Sequence, residues 1–222
     1  MNQGLVEKIL RLPDAPQLVG QLNKRLQEEH ERRLAFYNWI DEYTKAEFIN
    51  GEVVVHSPAK KKHLTVTKLL SRLISLYSDV KQLGETFHEK AMIALTRNDY
   101  EPDVVFFSAE KAAAFEPDQV LFPAPDFVVE VLSAKTEKTD RTIKKDDYAA
   151  HGIREYWIVD PNRQTIKQYL LLQPTDKTYF EPYLYRRVEE ITSRVIPGFS
   201  IPVAAVFDEA ENVAALQRLM AG

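Results

Sequence analysis

Six consecutive residues, Phe127-Val128-Val129-Glu130-Val131-Leu132, restrict the fold more than any other segment. The run is almost wholly apolar and too short for a buried helix, so it reads as a strand covered on both faces, as in the interior of an α/β sheet. One carboxylate sits in its middle. Leaving that charge unpaired in such surroundings costs several kcal/mol, so Glu130 must be protonated, paired with a cation or bound to a metal ion. Side chains alternate along a strand, which puts Val128, Glu130 and Leu132 on one face and Phe127, Val129 and Val131 on the other.

The rest of the chain supports one core. Its 222 residues suit a single enlarged α/β domain, and no linker-like stretch divides them. With 45% apolar and 28% charged residues the composition is that of a globular protein, without the signature of disorder. Cysteine is absent, which excludes disulfides and thiolate metal sites. The opening MNQGLVEKIL lacks a basic segment followed by a long apolar one, and no run of about 18 apolar residues occurs, so a cytoplasmic protein without a membrane span is expected. A net charge of -4 does not advertise nucleic-acid binding over the whole surface. Any DNA contact must then come from a local basic patch, for which Lys60-Lys61-Lys62 is the best candidate and a solvated loop the alternative.

Residues 1–45 read as an N-terminal helical extension, with a charged helix over Leu18 to Asn38, and 46–222 as the main domain. Asn50-Gly51 between two apolar runs, Ala46 to Ile49 and Glu52 to Val55, predicts a hairpin. The spacing of Leu64, Val66, Leu69, Leu70, Leu73, Ile74 and Tyr77 predicts a core-facing helix from His63 to Tyr77. Strands are expected at Ala91 to Leu95, Val104 to Phe107, Phe127 to Leu132 and Tyr156 to Val159, with further antiparallel strands at Ile166 to Leu172 and Phe180 to Tyr185 and a last helix over Glu209 to Met220. Between Leu132 and Tyr156 lies a helix ended by Gly152, which makes the flanking strands parallel and puts Glu130 inside the sheet.

A second acid, Asp103, stands at the mouth of the apolar strand Val104-Val105-Phe106-Phe107. If the two strands are neighbours, Asp103 and Glu130 converge on one oxygen-lined point of the kind Mg²⁺ or Mn²⁺ prefers. Such an ion activates a bound water and offsets the charge that builds up in phosphodiester hydrolysis. For Asp103 alone a turn-capping role is an equally good reading; the two acids together fit a metal better. Lys144 and Tyr148, at i and i+4 in the crossover helix, share a face, and Ile143 and Ala150 are expected to lean on the sheet beside them. Lys144 could then deliver its ammonium toward Glu130, or it could be a solvated helix lysine like Lys145.

Several blocks resemble, in order, the Uma2 (DUF820) family of PD-(D/E)xK restriction-endonuclease-like proteins. They are Asn50-Gly51-Glu52-Val53-Val54 with Ser57-Pro58 and His63; Glu101-Pro102-Asp103-Val104-Val105; Pro125-Asp126 running into the Glu130 strand and Ser133; Lys144, Tyr148 and Gly152; Glu155 to Pro161; and Pro197-Gly198-Phe199. The resemblance implies an α/β (α+β) fold with a restriction-endonuclease-like core, a mixed sheet flanked by helices. It implies catalytic roles for Asp103, Glu130 and Lys144, with Mg²⁺ or Mn²⁺ on the two acids and DNA as substrate. The lysine of the orthodox motif, two residues after the acid, is replaced here by Leu132; Lys144 takes its place by resemblance, with Lys135 and Lys145 as alternatives. Enzymes of that class that cut both strands often act as dimers, so a homodimer is an expectation by analogy.

His63 reads as a residue capping or lining a helix start, and Glu47 and Glu52 as exposed turn acids, with ligand roles as the alternative for all three. His30, His56, His88 and His151 lack zinc-like spacing. No Gly-rich phosphate loop or nucleophile elbow occurs, which removes NTPase and serine-hydrolase readings. Two functions remain foremost: a divalent-metal-dependent endonuclease, and a nuclease fold with weak or no catalysis that binds nucleic acid or regulates. An interaction scaffold with purely structural acids is the weaker third.

Overall fold

A computed structural model describes residues 3–221. Helices α1 (Gln3–Leu10) and α2 (Ala15–Trp39) come first, then the hairpin β1 (Ala46–Ile49) and β2 (Glu52–Val55), followed by α3 (Lys61–Val80). Strands β3 (Gly84–His88), β4 (Met92–Ala94), β5 (Asp99–Tyr100) and β6 (Val104–Ser108) lead to a helical turn, α4 (Ala109–Ala112), and to β7 (Leu121–Phe122) and β8 (Phe127–Val131). The crossover is one continuous helical stretch: α5 (Glu137–Thr139), a π-helical turn (Asp140–Lys144) and α6 (Lys145–Ala150). Strands β9 (Glu155–Asp160), β10 (Thr165–Leu170), β11 (Tyr183–Arg186), β12 (Glu190–Thr192) and β13 (Ser200–Pro202), a 3-10 turn (Val203–Val206) and α7 (Glu209–Ala221) complete the chain.

The main sheet has the order β11-β10-β9-β8-β6-β3, and β8 and β9 are its parallel pair. Glu130 thus lies on an interior strand, as the crossover requires. The two faces of β8 feed two cores. Phe127, Val129 and Val131 pack with Leu70, Leu73, Ile74 and Tyr77 of α3 and with Ala215 and Leu219 of α7. Val128 and Leu132 pack on the opposite face with Ile49, Ile93 and Tyr100 of a smaller sheet, ordered β2-β1-β5-β4-β7, and with Tyr148 of α6. Glu130 points into this second layer.

The hairpin forms where expected, with Asn50 at φ 51 and Gly51 at φ 86 supplying the left-handed turn that the twist of paired strands favours. Helix α2 carries few buried residues, Ala15 and Phe36, but it is clasped to the body: Arg33 grips Asp99 with two hydrogen bonds of 2.6 and 2.7 Å, and Tyr37 donates a third.

Some expectations are corrected. Leu64 is 45% exposed, because the first turn of α3 lies at the margin of the core where His63 turns toward Asp103. Phe180 is exposed, and the strand expected from Phe180 to Tyr185 begins at Tyr183 and runs to Arg186. Strand β3 was not foreseen: Gly-Glu-Thr-Phe-His is half polar, as an edge strand facing solvent can be. It depends on Gly84, at φ +149, where an added Cβ would stand 1.9 Å from the Phe107 carbonyl oxygen. Gly84→Ala is expected to cost more than about 2 kcal/mol by urea unfolding, since backbone must move; a loss within experimental error would show that the strand can shift freely.

A buried acidic centre around Lys144

Strands β6 and β8 pair antiparallel with Val104 opposite Val129, so Asp103 and Glu130 stand one step along the same ladder. Asp103 Oδ2 accepts the Val131 amide at 2.7 Å, which ties the first acid to the strand of the second. Its Oδ1 lies 3.1 Å from His63 Nε2 and 3.6 Å from Lys45 Nζ. Burial alone would raise the pKa of Asp103; the hydrogen bond and charge of His63 outweigh it and hold the carboxyl below its usual range.

Glu130 is enclosed differently. Its Oε1 accepts hydrogen bonds from Lys144 Nζ and from the Tyr148 hydroxyl, both at 2.9 Å, so the i, i+4 pair read from the sequence does converge on it. Burial, followed by the charges of Asp140, Asp103 and Glu47, pushes the Glu130 pKa well above the carboxylate range against the pull of Lys144. Among the described residues Oε2 accepts no hydrogen bond. Of the three candidate lysines, Lys144 is the one that meets Glu130. Lys135 leans instead on Val55 and Ser57, and Lys145 pairs with Asp146.

The helix face differs from the expectation. Ile143 and Ala150 turn outward, while Lys144, Tyr148 and Ala149 are buried. The sheet presents a carboxylate at this point, so it takes the polar stripe Asp140, Lys144 and Tyr148, whose spacing of four runs through the π turn into α6. Glu47 is also corrected. It is 1% exposed, not a turn acid, and its Oε1 contacts Lys144 Nζ at 2.8 Å and accepts the Glu101 amide at 3.0 Å. Burial would lift its pKa, but Lys144, aided by His56 at 3.1 Å from Oε2, overrides that and holds the carboxyl down to about 2. Glu52 is exposed, as expected. His63 does not cap its helix; it reaches the first acid.

Asp140 was not anticipated. It is 1% exposed, neither of its oxygens accepts a hydrogen bond, and Oδ1 lies 3.6 Å from Lys144 Nζ. A pocket of about 390 Å³ runs between Glu47, His56 and Asn50 of the hairpin and Lys135, Asp140 and Lys144 of the crossover. Hard carboxylate oxygens, two of them orphaned on Asp140, are suitable donors for a divalent ion. No three acidic or imidazole groups among the described residues converge on one point. An ion on Asp103 and Glu130 would therefore complete its shell with water and substrate oxygens, as Mg²⁺ commonly does.

His63 offers a pH test. Burial lowers its pKa, but the hydrogen bond and charge of Asp103 prevail and raise it above 6.5. A raised folded value means stability that is present below the unfolded pKa and lost as pH rises through the folded one. Urea unfolding from pH 6 to pH 8.5 should show a loss of about 1 kcal/mol from this contact, absent in His63→Gln; equal slopes for the two proteins would deny the ion pair.

Comparison with known proteins adds three findings. The Uma2 family model, described as "Putative restriction endonuclease", matches residues 28–204. An uncharacterized protein of Synechocystis sp. is 27% identical over 132 residues, spanning 56% of this chain and 71% of its own. The crystal structure of a "putative nuclease belonging to DUF820" from Anabaena variabilis matches with a TM-score of 0.67 at 18% identity, over 80% of this chain and 96% of that one. At that identity the likeness shows a shared fold. No helix among the described residues is long and apolar enough to cross a membrane.

Proposed function

Because the chain belongs to the Uma2 family, whose model is described as "Putative restriction endonuclease", we propose that it is a divalent-metal-dependent nuclease that hydrolyses phosphodiester bonds in DNA. The observation that supports this reading is that Asp103, just before β6, stands opposite Glu130 of β8 in the register of that strand pair, with Lys144 delivered to Glu130 from the crossover helix. Asp103 and Glu130 would hold Mg²⁺ or Mn²⁺, and the ion supplies an activated water and a charge to offset that of the transition state. The chain's own groups hold and orient. The Val131 amide and His63 fix Asp103, while Tyr148 and Lys144 fix the Glu130 carboxylate. Lys144, protonated between its acids, is the cation that can steady a phosphate oxygen. Exposed Lys60, Lys61 and Lys62, at the start of the helix that carries His63, suit contact with a phosphate backbone.

The test is direct. Supercoiled plasmid DNA incubated with the protein and Mn²⁺ should be nicked or linearised, and should stay intact when the ion is chelated. Absence of cleavage by the wild-type protein would overturn the reading. A second reading, a nuclease fold that binds nucleic acid without cutting it, is favoured by one observation: Lys144 is 2% exposed and its ammonium is fully engaged. Metal-independent retention of DNA in a gel-shift assay, with no cleavage, is its expected result.

A further inference from the structure

Helix α2 overhangs the body to which it is clasped. Ala15, Val19, Leu22, Leu26, Glu29, Arg33 and Phe36 recur at alternating steps of four and three, so they form one seam along the helix. The second half of that seam meets the body. Glu29 pairs with Arg97 at 2.7 Å, Arg33 with Asp99 at 2.6 Å, and the Phe36 ring stands 5.8 Å from that of Phe48. The first half is bare: Val19, Leu22 and Leu26 are 41, 49 and 49% exposed. Among the described residues, no side chain of 16–28 makes a hydrogen bond or ion pair outside α2. The turn before the helix and α1 add exposed Leu12, Leu10, Val6 and Leu5. Exposed apolar surface of this extent on a globular domain marks an interface.

We propose that the bare half of α2 is the contact of a symmetric dimer, covered by the same segment of a second copy of this chain lying antiparallel to it. Continuity with the seam inside the chain fixes the direction. The body fills the seam side of α2 from Glu29 onward, so a partner helix has room only beside residues 15–26 and must carry its own body away past the opposite end. A parallel partner would drive its second half into the first body. In the antiparallel pair Val19 of each copy packs on Leu22 of the other, and Leu26 on the Leu12–Ala15 turn, so larger side chains meet smaller ones. Charge agrees with this arrangement. Asp14, Leu18 and Arg25 lie along one flank of the seam, and like flanks face each other in an antiparallel pair, so Arg25 of each copy reaches Asp14 of the other. Both are exposed, Asp14 makes no capping hydrogen bond, and neither side chain has an ion-pair partner in its own chain among the described residues. The dimer does not rest on the nuclease reading.

Sedimentation equilibrium of the full chain between about 1 and about 100 µM reads the association. The wild type is expected to form a dimer with a dissociation constant of about 10 µM or tighter. Leu22→Asp leaves a residue that is exposed in the single chain but sets a charge in a central layer of the dimer, and should weaken association at least about a hundredfold. Lys24→Asn, on the outer face of the same helix, lowers helix propensity to a similar degree and should leave the dimer unchanged. Orientation is read from the charges. Arg25→Asp should weaken association by about tenfold, and Arg25→Asp combined with Asp14→Arg should recover most of that loss, because the pair is rebuilt with its signs exchanged. A wild-type chain that is monomeric at about 100 µM overturns the proposal. A dimer overturns it too if Leu22→Asp leaves it intact, if Lys24→Asn weakens it as much as Leu22→Asp does, or if the exchanged pair recovers nothing.

Discussion

Glu130→Gln is expected to slow DNA cleavage by at least about a thousandfold, which is about 4 kcal/mol of transition-state stabilisation. Glutamine keeps the volume of the side chain and an oxygen that can accept from both Lys144 and Tyr148, so the local packing survives. What it removes is the negative charge. With that charge go one arm of the ion's support and the strongest reason for the Lys144 ammonium to lie where it does. Initial rates of plasmid nicking at saturating Mn²⁺, with the fold checked by circular dichroism, provide the measurement. A folded Glu130→Gln protein that cuts near the wild-type rate would remove Glu130 from the chemistry.

Glu155→Ala should have the largest effect on stability, a loss of about 3–5 kcal/mol from a total that for most domains is about 5–15 kcal/mol. This carboxylate, at the start of β9, is wholly buried and saturated with donors. Oε1 accepts from Trp157 Nε1 and Gln168 Nε2, both at 2.6 Å, and Oε2 from the Ser193 hydroxyl at 2.8 Å and the Arg194 and Val195 amides at 2.7 and 3.0 Å. Alanine would strand those donors in the interior, and each unmatched one costs about 1–3 kcal/mol where water cannot reach it. Burial pushes the Glu155 pKa up against these hydrogen bonds, so the hydrogen bonds, not a partner cation, are what keep the group in place. Chemical denaturation of the variant gives the answer; a loss below about 1 kcal/mol would mean that solvent or a rearranged loop takes over the five donors. Metal binding at the distant acids should be unchanged.

The sequence displayed the frame of the site more clearly than its walls. Glu130 was conspicuous because charge inside an apolar strand has few explanations, and the parallel pairing of β8 with β9 followed from the helix between them. Asp103 could be joined to it only on the condition that the two strands are neighbours, a condition the β6–β8 pairing meets. Glu47 carries a similar signature, an acid between Ala46 and Phe48-Ile49, but its nearness to the Asn50-Gly51 turn suggested exposure. Its burial arises from β1 pairing with β5 beneath the crossover, a long-range contact that no local pattern encodes. Asp140 was hidden by composition, since it sits among the polar residues of TEKTDRTIKK. The outward turn of Ile143 and Ala150 shows the limit of apolar periodicity. A helix leaning on a charged patch of sheet presents its polar stripe instead. Glu155 was equally opaque, for all its partners but Trp157 lie 13 to 40 residues away in the chain.

Leu132, two residues beyond Glu130, is packed into the second core, and the positive charge reaches the acid from a neighbouring helix. Carboxylate and ammonium therefore belong to separate elements of the protein, joined by the contacts of Lys144 and Tyr148 with Glu130. A fluctuation that lifts the crossover off the sheet would withdraw the ammonium from Glu130 while leaving the strands paired. A strand-borne lysine has no such freedom. Hydrogen exchange that is faster at the amides of 140–150 than in β8 and β9 would be the mark of this separate mobility.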